Sequence, residues 1–300
     1  MKAIEAGRRV ALKNILFSTD FSSCSNAALP YALSIGRRFG AKLFVAHVVP
    51  TATEMLLASP ESWPTAFEEE EKKVKEYMDR MEKQMQGLPH DMLTARGKVS
   101  DALAQIIDRH AIDLLVLGTR GRSGIGKLLL GSVAEDVLRR AACPVLSVGP
   151  DVSSEPDDEI RFRRILFATD FSDESLAALP YAISLAEEDQ AQLSLLHVIE
   201  HPAAGIVDLD AITASAMCRL KGLVPAEAEP WCNAECLIEF GQQLTPPAER
   251  ILDVAADRDA DLIVLGVRPV HGNFGLVTHL ASTTAHILTQ AACPVLTVRG

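Results

Sequence analysis

Long apolar runs are missing from this 300-residue chain. Stretches such as LLVLG at 114–118 and LIVLG at 262–266 fall far short of the roughly 18 residues that a membrane-spanning helix needs. The start, MKAIEAGRRVALKNILF, is basic and then apolar, but it holds no hydrophobic stretch of signal length ahead of a small-residue cleavage site. A cytoplasmic protein with no membrane partner is expected. Cysteine is scarce as well: six residues, at 24, 143, 218, 232, 236 and 293, are too few to staple a fold of this size. Cys232 and Cys236 are spaced C-x-x-x-C with no second pair to complete four ligands, so they are read as bystander thiols and no metal site is assigned. A basic excess is absent too, and a net charge of −11 disfavours nucleic acid, whose phosphates need a cationic face. No nucleophile, base and orienting group stand at an interpretable spacing, and no carboxylate pair suggests hydrolysis, so no catalytic residue is named.

What the chain does have is repetition. Residues 15–34 read ILFSTDFSSCSNAALPYALS and residues 165–184 read ILFATDFSDESLAALPYAIS, with fifteen of twenty positions identical at an offset of 150. DLLVLG from Asp113 matches DLIVLG from Asp261, and AACPVL recurs at 141 and 291. A period this long is too large for a solenoid and reads as a duplicated domain, with the polar segment DVSSEPDDE at 151–159 as the linker. The halves differ in charge. Up to residue 150 there are 20 Lys and Arg against 17 Asp and Glu, a balance of +3, whereas the remainder has 9 against 23, or −14. An anionic ligand is therefore expected in the first half.

Within each copy, periodicity alternates between strand and helix. ILFST, KLFVAHVV, a short stretch near Met92 to Arg96, LLVLG and PVLSV read as strands, and the segments between them have helical spacing. Inner strands that are apolar throughout indicate a parallel sheet covered on both faces. The expected fold class is α/β: two doubly wound domains, 1–150 and 151–300, each a mainly parallel five-stranded sheet with helices on both faces and a ligand crevice at the carboxyl ends of the strands. The run EEEEKK in the second helix reads as a solvated face. Its counterpart, DLDAITASAMCRLKGL, is more apolar and suggests a face covered by something, such as another subunit.

Residues 118–132, GTRGRSGIGKLLLGS, read as a phosphate loop in two frames. From Gly121 the segment meets the G-x-x-x-x-G-K part of a Walker A loop, then places Leu128 where a Mg²⁺-binding hydroxyl belongs. In the other frame Gly118 ends a buried strand and lets the backbone approach a ribose or phosphate, and Gly121 permits a positive-φ turn. Gly131 and Ser132 then open the helix SVAEDVLRRA, whose N–H groups and dipole favour a phosphate. Arg122 and Lys127 would wrap over the anion. Asp20, past the first strand, is placed either to accept from a ribose hydroxyl or the adenine amine, or to cap the following helix.

TDFS at 19–22, HVV at 47–49, and Gly-x2-Gly-x9-Gly-Ser at 118–132 followed by CPVLSV resemble the universal stress protein family, and the repeat resembles its tandem members. The resemblance covers nearly the whole chain. It implies an adenine nucleotide alpha hydrolase-like fold and a cytoplasmic stress-response role. ATP, alone or with Mg²⁺, would be a sensor ligand held by Thr19, Asp20, Val48, Gly118, Gly121, Gly131, Ser132 and Val133. The repeat would then form an intramolecular pseudo-dimer. It would mimic the homodimer that single-domain relatives make by exchanging last strands, for which PVLSV and PVLTV are the candidates. Two such chains pairing would give four domains; the protein partner is unknown.

The second copy departs from the pattern. Aligned from AACPVL, Pro269 falls at the Gly121 position, Ala281 at Gly131 and Ser282 at Ser132, and proline forbids positive φ and removes an N–H. Asp170, Val198, Gly266 and Ser282 remain as a remnant of an adenosine site, so the second domain is expected to be structural or regulatory. His47 and His197 read as packed core residues, and Asp113 and Asp261 as turn residues. Two other functional readings stay open: a slow ATPase or nucleotide-transferring enzyme, and a nucleotide-free scaffold.

Overall fold

The computed structural model describes residues 10–49, 51, 63–120, 130–152, 160–200, 208–226, 234–241, 246–267 and 282–300. The first repeat runs β1 (Asn14–Ser18), α1 (Ser23–Phe39), β2 (Lys42–Val49), α2 (Trp63–Glu82), β3 (His90–Arg96), α3 (Val99–His110), β4 (Leu114–Gly118), α4 (Ser132–Arg140) and β5 (Val145–Val148). The second runs β6 (Arg164–Ala168), α5 (Asp173–Leu176), α6 (Leu179–Asp189), β7 (Gln192–Ile199), α7 (Leu209–Lys221), β8 (Glu235–Phe240), α8 (Pro247–Asp257), β9 (Leu262–Val267), α9 (Ser282–Gln290) and β10 (Val295–Arg299). Strands β2 and β4 keep the bounds that their largely apolar runs suggest. Helix α1 starts at Ser23 because the Ser22 hydroxyl accepts from Ser25 N–H and caps it.

Both halves contribute to one ten-stranded sheet, ordered β3-β2-β1-β4-β5-β10-β9-β6-β7-β8. Every pairing within a half is parallel, and the one antiparallel junction joins β5 to β10 with Leu146 opposite Leu296. Those two leucines stand 150 residues apart in the repeat, so the pseudo-two-fold axis passes between them. This corrects the expectation of exchanged last strands. β5 stays with its own β4, Leu115 opposite Val145, and β10 with its own β9. The junction covers both open edges, so exchange would remove no further unpaired backbone.

What crosses the axis is the chain leading into each first strand. Val10 N–H donates to Ser184 Oγ at 2.9 Å, and at the symmetry-related place Ser34 Oγ donates to the Ile160 carbonyl at 2.6 Å. Arg38 of α1 pairs with the Asp189 carboxylate, whose side chain is fully buried and also accepts from Phe162 N–H at 2.8 Å. Helices cover both faces of the sheet. α1, α2, α6 and α7 pack on one apolar layer, which includes Phe17, Met78, Phe167 and Leu220. α3, α4, α8 and α9 pack on the other, with Leu16, Leu138, Ile251 and Ile287.

Candidate functional site

At the carboxyl end of β1 the chain turns sharply through Thr19, Asp20 and Phe21, and Phe21 adopts φ 61°. The turn is held from within. Thr19 Oγ1 accepts from Phe21 N–H at 2.9 Å and lies 3.1 Å from Ser25 Oγ, and its residue is 4% exposed. The expected Thr19 contact therefore has a hydroxyl already committed to the turn. Asp20 Oδ1 accepts from Ser22 N–H at 3.0 Å, so Asp20 closes an Asx turn while Ser22 serves as the helix cap. His47 Nδ1 donates to the Thr19 carbonyl at 2.8 Å, and the Phe21 ring stacks on the imidazole at 4.3 Å. The histidine is packed, as its strand position suggests.

Gly118 ends β4 directly beneath α1. A Cβ there would stand 2.8 Å from the Cys24 carbonyl oxygen and 2.9 Å from Ser25 N. Close approach of a helix thus requires this glycine, whatever ligand comes near it. Gly266 meets the backbone of Glu174 and Ser175 in the same way. One residue on, the Thr119 carbonyl accepts from Gly131 N–H at 3.1 Å, and a Cβ on Gly131 would sit 3.1 Å from that same oxygen. This contact brings the start of α4 beside the Asp20 turn. Gly131 is the N-cap and supplies no side-chain hydrogen bond to the first-turn N–H groups of Ser132, Val133 and Ala134. Val133 is 49% exposed beside them, and Val48 is buried in β2. Gly121, Arg122 and Lys127, along with Leu128, lie outside the described residues.

In the second half Asp170 makes the same turn, but its Oδ1 also takes the Ser172 hydroxyl at 2.5 Å, besides Ser172 N–H at 2.9 Å. In the first half the equivalent Ser22 hydroxyl points to Ser25 Oγ instead, at 3.3 Å. Val198 is half-buried in β7, Gly266 lies in β9 and Ser282 begins α9. Pro269, Ala281, His271, His279 and Cys232 lie outside the described residues. Asp113 and Asp261 are turn residues as expected: Asp113 accepts from Lys13 and Asn14 N–H groups, Asp261 from Arg163 and Arg164. Burial pushes the Cys143 and Cys293 thiols up to about 12, which keeps them protonated and inert. Among the described residues no group of three His, Cys, Asp or Glu side chains is placed to hold a metal. No described helix is long and apolar enough to cross a membrane.

One cluster escaped the sequence. Asp136 on α4 accepts from Ser100 Oγ at 2.6 Å and Arg140 Nε at 2.8 Å, with Lys98 Nζ at 2.8 Å and Arg139 at 3.2 Å. Burial opposes its ionisation, yet the hydrogen bonds from Lys98, Ser100 and Arg139 and the charge of Arg140 outweigh that and hold its carboxyl well below the usual range. The cluster locks α4 to the start of α3. Its signal in the sequence was only Asp-x-x-Arg-Arg on one helix, which any exposed helix can carry.

Two parallel five-stranded halves, joined edge to edge and each turning on Thr-Asp-Phe-Ser beside a glycine-ended strand, define a duplicated protein of the adenine nucleotide alpha hydrolase-like fold. Residues 11–149 and 161–299 each match the universal stress protein family, and the chain belongs to that family as a tandem member. A universal stress protein of Mycobacterium tuberculosis is 25% identical over 293 residues, covering 95% of this chain and 96% of its own length. One from Methanocaldococcus jannaschii is 30% identical over 138 residues, or 45% of this chain and 81% of that protein. The crystal structure of a universal stress protein from Archaeoglobus fulgidus aligns with a TM-score of 0.67 at 22% identity, covering 95% of this chain and 98% of that one.

Proposed function

We propose that the chain is a cytoplasmic sensor that binds one adenine nucleotide, ATP, in its first domain, residues 1–150, while the second domain, 151–300, supplies scaffold and regulation. The observation that carries this reading is the start of α4, whose N-cap is the glycine Gly131, pinned to Thr119 beside the Asp20 turn. The first-turn N–H groups and the helix dipole together favour a phosphate. The Ser132 and Val133 N–H groups and the Ser132 hydroxyl would hold phosphate oxygens, with Arg122 and Lys127 closing over them. Asp20, oriented by its bond to Ser22 N–H, would accept from the adenosine, and Val48 would line its apolar side. Mg²⁺, when bound, would neutralise phosphate charge. In the second domain the proline and alanine substitutions remove the grip on phosphate, and Asp170 has taken up the hydroxyl that Ser22 keeps away from Asp20.

Isothermal titration of the full chain with ATP tests this reading. We expect one site per chain, and Asp20→Ala should weaken it at least ten-fold without shifting the melting temperature by more than a few degrees. Two equal sites per chain, no binding, or unchanged affinity in Asp20→Ala would overturn it.

A further inference from the structure

The two halves diverge at the helix that follows the second strand. In the first half Tyr77 of α2 stacks on Phe21 at 4.8 Å. In the second, Phe171 keeps the strained turn, φ 63°, and lies 4.4 Å from His197. The place over its ring is taken by Arg219 of α7, with Cζ 4.0 Å from the centroid. Matching Tyr77 to Arg219 and stepping back along the helices sets Val74 against Ala216 and Lys73 against Ser215. A valine has become an alanine and an aromatic ring a thin guanidinium. The result is an open groove of about 330 Å³, lined by Phe171, His197, Ile212, Ser215, Ala216 and Arg219. Its size falls within the range of roughly 300–1,000 Å³ typical of small-molecule sites. The groove lies on the layer of the sheet that carries α6 and α7, whereas α9 packs on the other; Phe171 and His197 adjoin Asp170 and Val198 in the chain, so the groove borders the remnant adenosine position of the second half and is distinct from the nucleotide position expected in the first.

We propose that this groove binds a small aromatic monoacid, with its ring against His197, Ile212 and Ala216 beside the Arg219-covered Phe171, and its carboxylate on Arg219 and Ser215. Three observations point to that chemistry. The floor is made of two rings and the helix wall of small or aliphatic side chains, which suits a planar apolar body. Arg219 is exposed and lies on a ring face, paired with no carboxylate among the described residues; a stacked guanidinium keeps its N–H edge open for a carboxylate. The surrounding half has a charge balance of −14, which repels a polyphosphate and leaves one negative charge as the amount a single guanidinium neutralises.

The test titrates the full chain with naphthalene-2-carboxylate and with its uncharged amide, each without ATP and at saturating ATP. The acid should bind saturably at one site and at least ten-fold more tightly than the amide, equally with and without ATP. Arg219→Gln, a change at an exposed position, should abolish the preference for the acid. Ala216→Val should weaken both ligands, and a melting curve establishes that this variant folds. No saturable binding, equal affinity for acid and amide, an unchanged preference in Arg219→Gln, or concentration-dependent self-association that blocks the probe would each overturn the proposal. The arm without ATP reads the groove alone, so failure of nucleotide binding in the first domain leaves this result intact.

Discussion

Gly118 faces the backbone of Cys24 and Ser25 rather than open solvent, and a methyl group there would stand 2.8 Å from a carbonyl oxygen. Neither partner is the far end of a flexible side chain, so the overlap must be relieved by moving α1 away from β4. Gly118→Ala should therefore destabilise the fold by about 2 kcal/mol, measured by urea unfolding. Any loss of ATP affinity should track the loss of stability, because the glycine acts on the helix that carries the Asp20 turn. Thr19 teaches the same lesson. Its hydroxyl lies within a hydrogen-bond cluster with Phe21 and Ser25, and from the sequence such a threonine is indistinguishable from one that faces a ligand.

Helix α4 combines a glycine N-cap with a strongly anchored body. Its Asp136 draws Lys98, Ser100, Arg139 and Arg140 into one cluster, and the side chain is 16% exposed, so solvent screens it only in part. The second half carries His286, Thr289 and Gln290 at the corresponding positions and shows no such clamp among the described residues. A carboxyl whose folded pKa is depressed stabilises the fold above its unfolded value of 3.8, and loses that contribution as pH falls through the lower folded value. Asp136→Asn should cost about 2 kcal/mol at pH 7 and progressively less below pH 4. Urea unfolding at both pH values checks this, and an equal deficit at pH 7 and pH 2 would contradict it. The strands were legible because β1, β2 and β4 are buried on both faces and so read as largely apolar runs. The edge strand β3 was seen only in part, since its residues are half-buried or exposed and leave a weaker pattern.

The two halves are held together by the β5–β10 junction and by the crossed segments that precede β1 and β6. Asp189 is the most consequential residue of that contact. Its fully buried carboxylate pairs with Arg38 from the other half and receives Phe162 N–H. The first repeat has Phe39 at the matching position, so the ion pair occurs on one side of the axis alone. Asp189→Leu should destabilise the molecule by roughly 3–5 kcal/mol, because it removes the buried carboxylate that faces Arg38 and receives Phe162 N–H, whereas Arg38→Met combined with Asp189→Leu should recover most of that loss. A double-mutant cycle in urea measures the coupling. Arg299 makes a second bridge, donating to the Arg139 carbonyl near the end of α4, where a cation complements the helix dipole.

Duplication, the α/β class, the strand runs and the Asp20 and Gly131 positions are all written in the linear order of residues. Each depends on local pattern: apolar runs, helical spacing, and a repeat that shows itself by identity at a constant offset. The meeting of β5 with β10, the pairing of Arg38 with Asp189, the reason for Gly118 and the stacking of Arg219 on Phe171 came only with the folded chain. In each of these the partners are separated by tens to more than a hundred residues. Their encounter is set by how sheet edges and helices pack once the core has closed. A sheet edge carries the same free N–H and C=O groups whatever comes to cover it, so nothing in PVLSV or PVLTV names its neighbour.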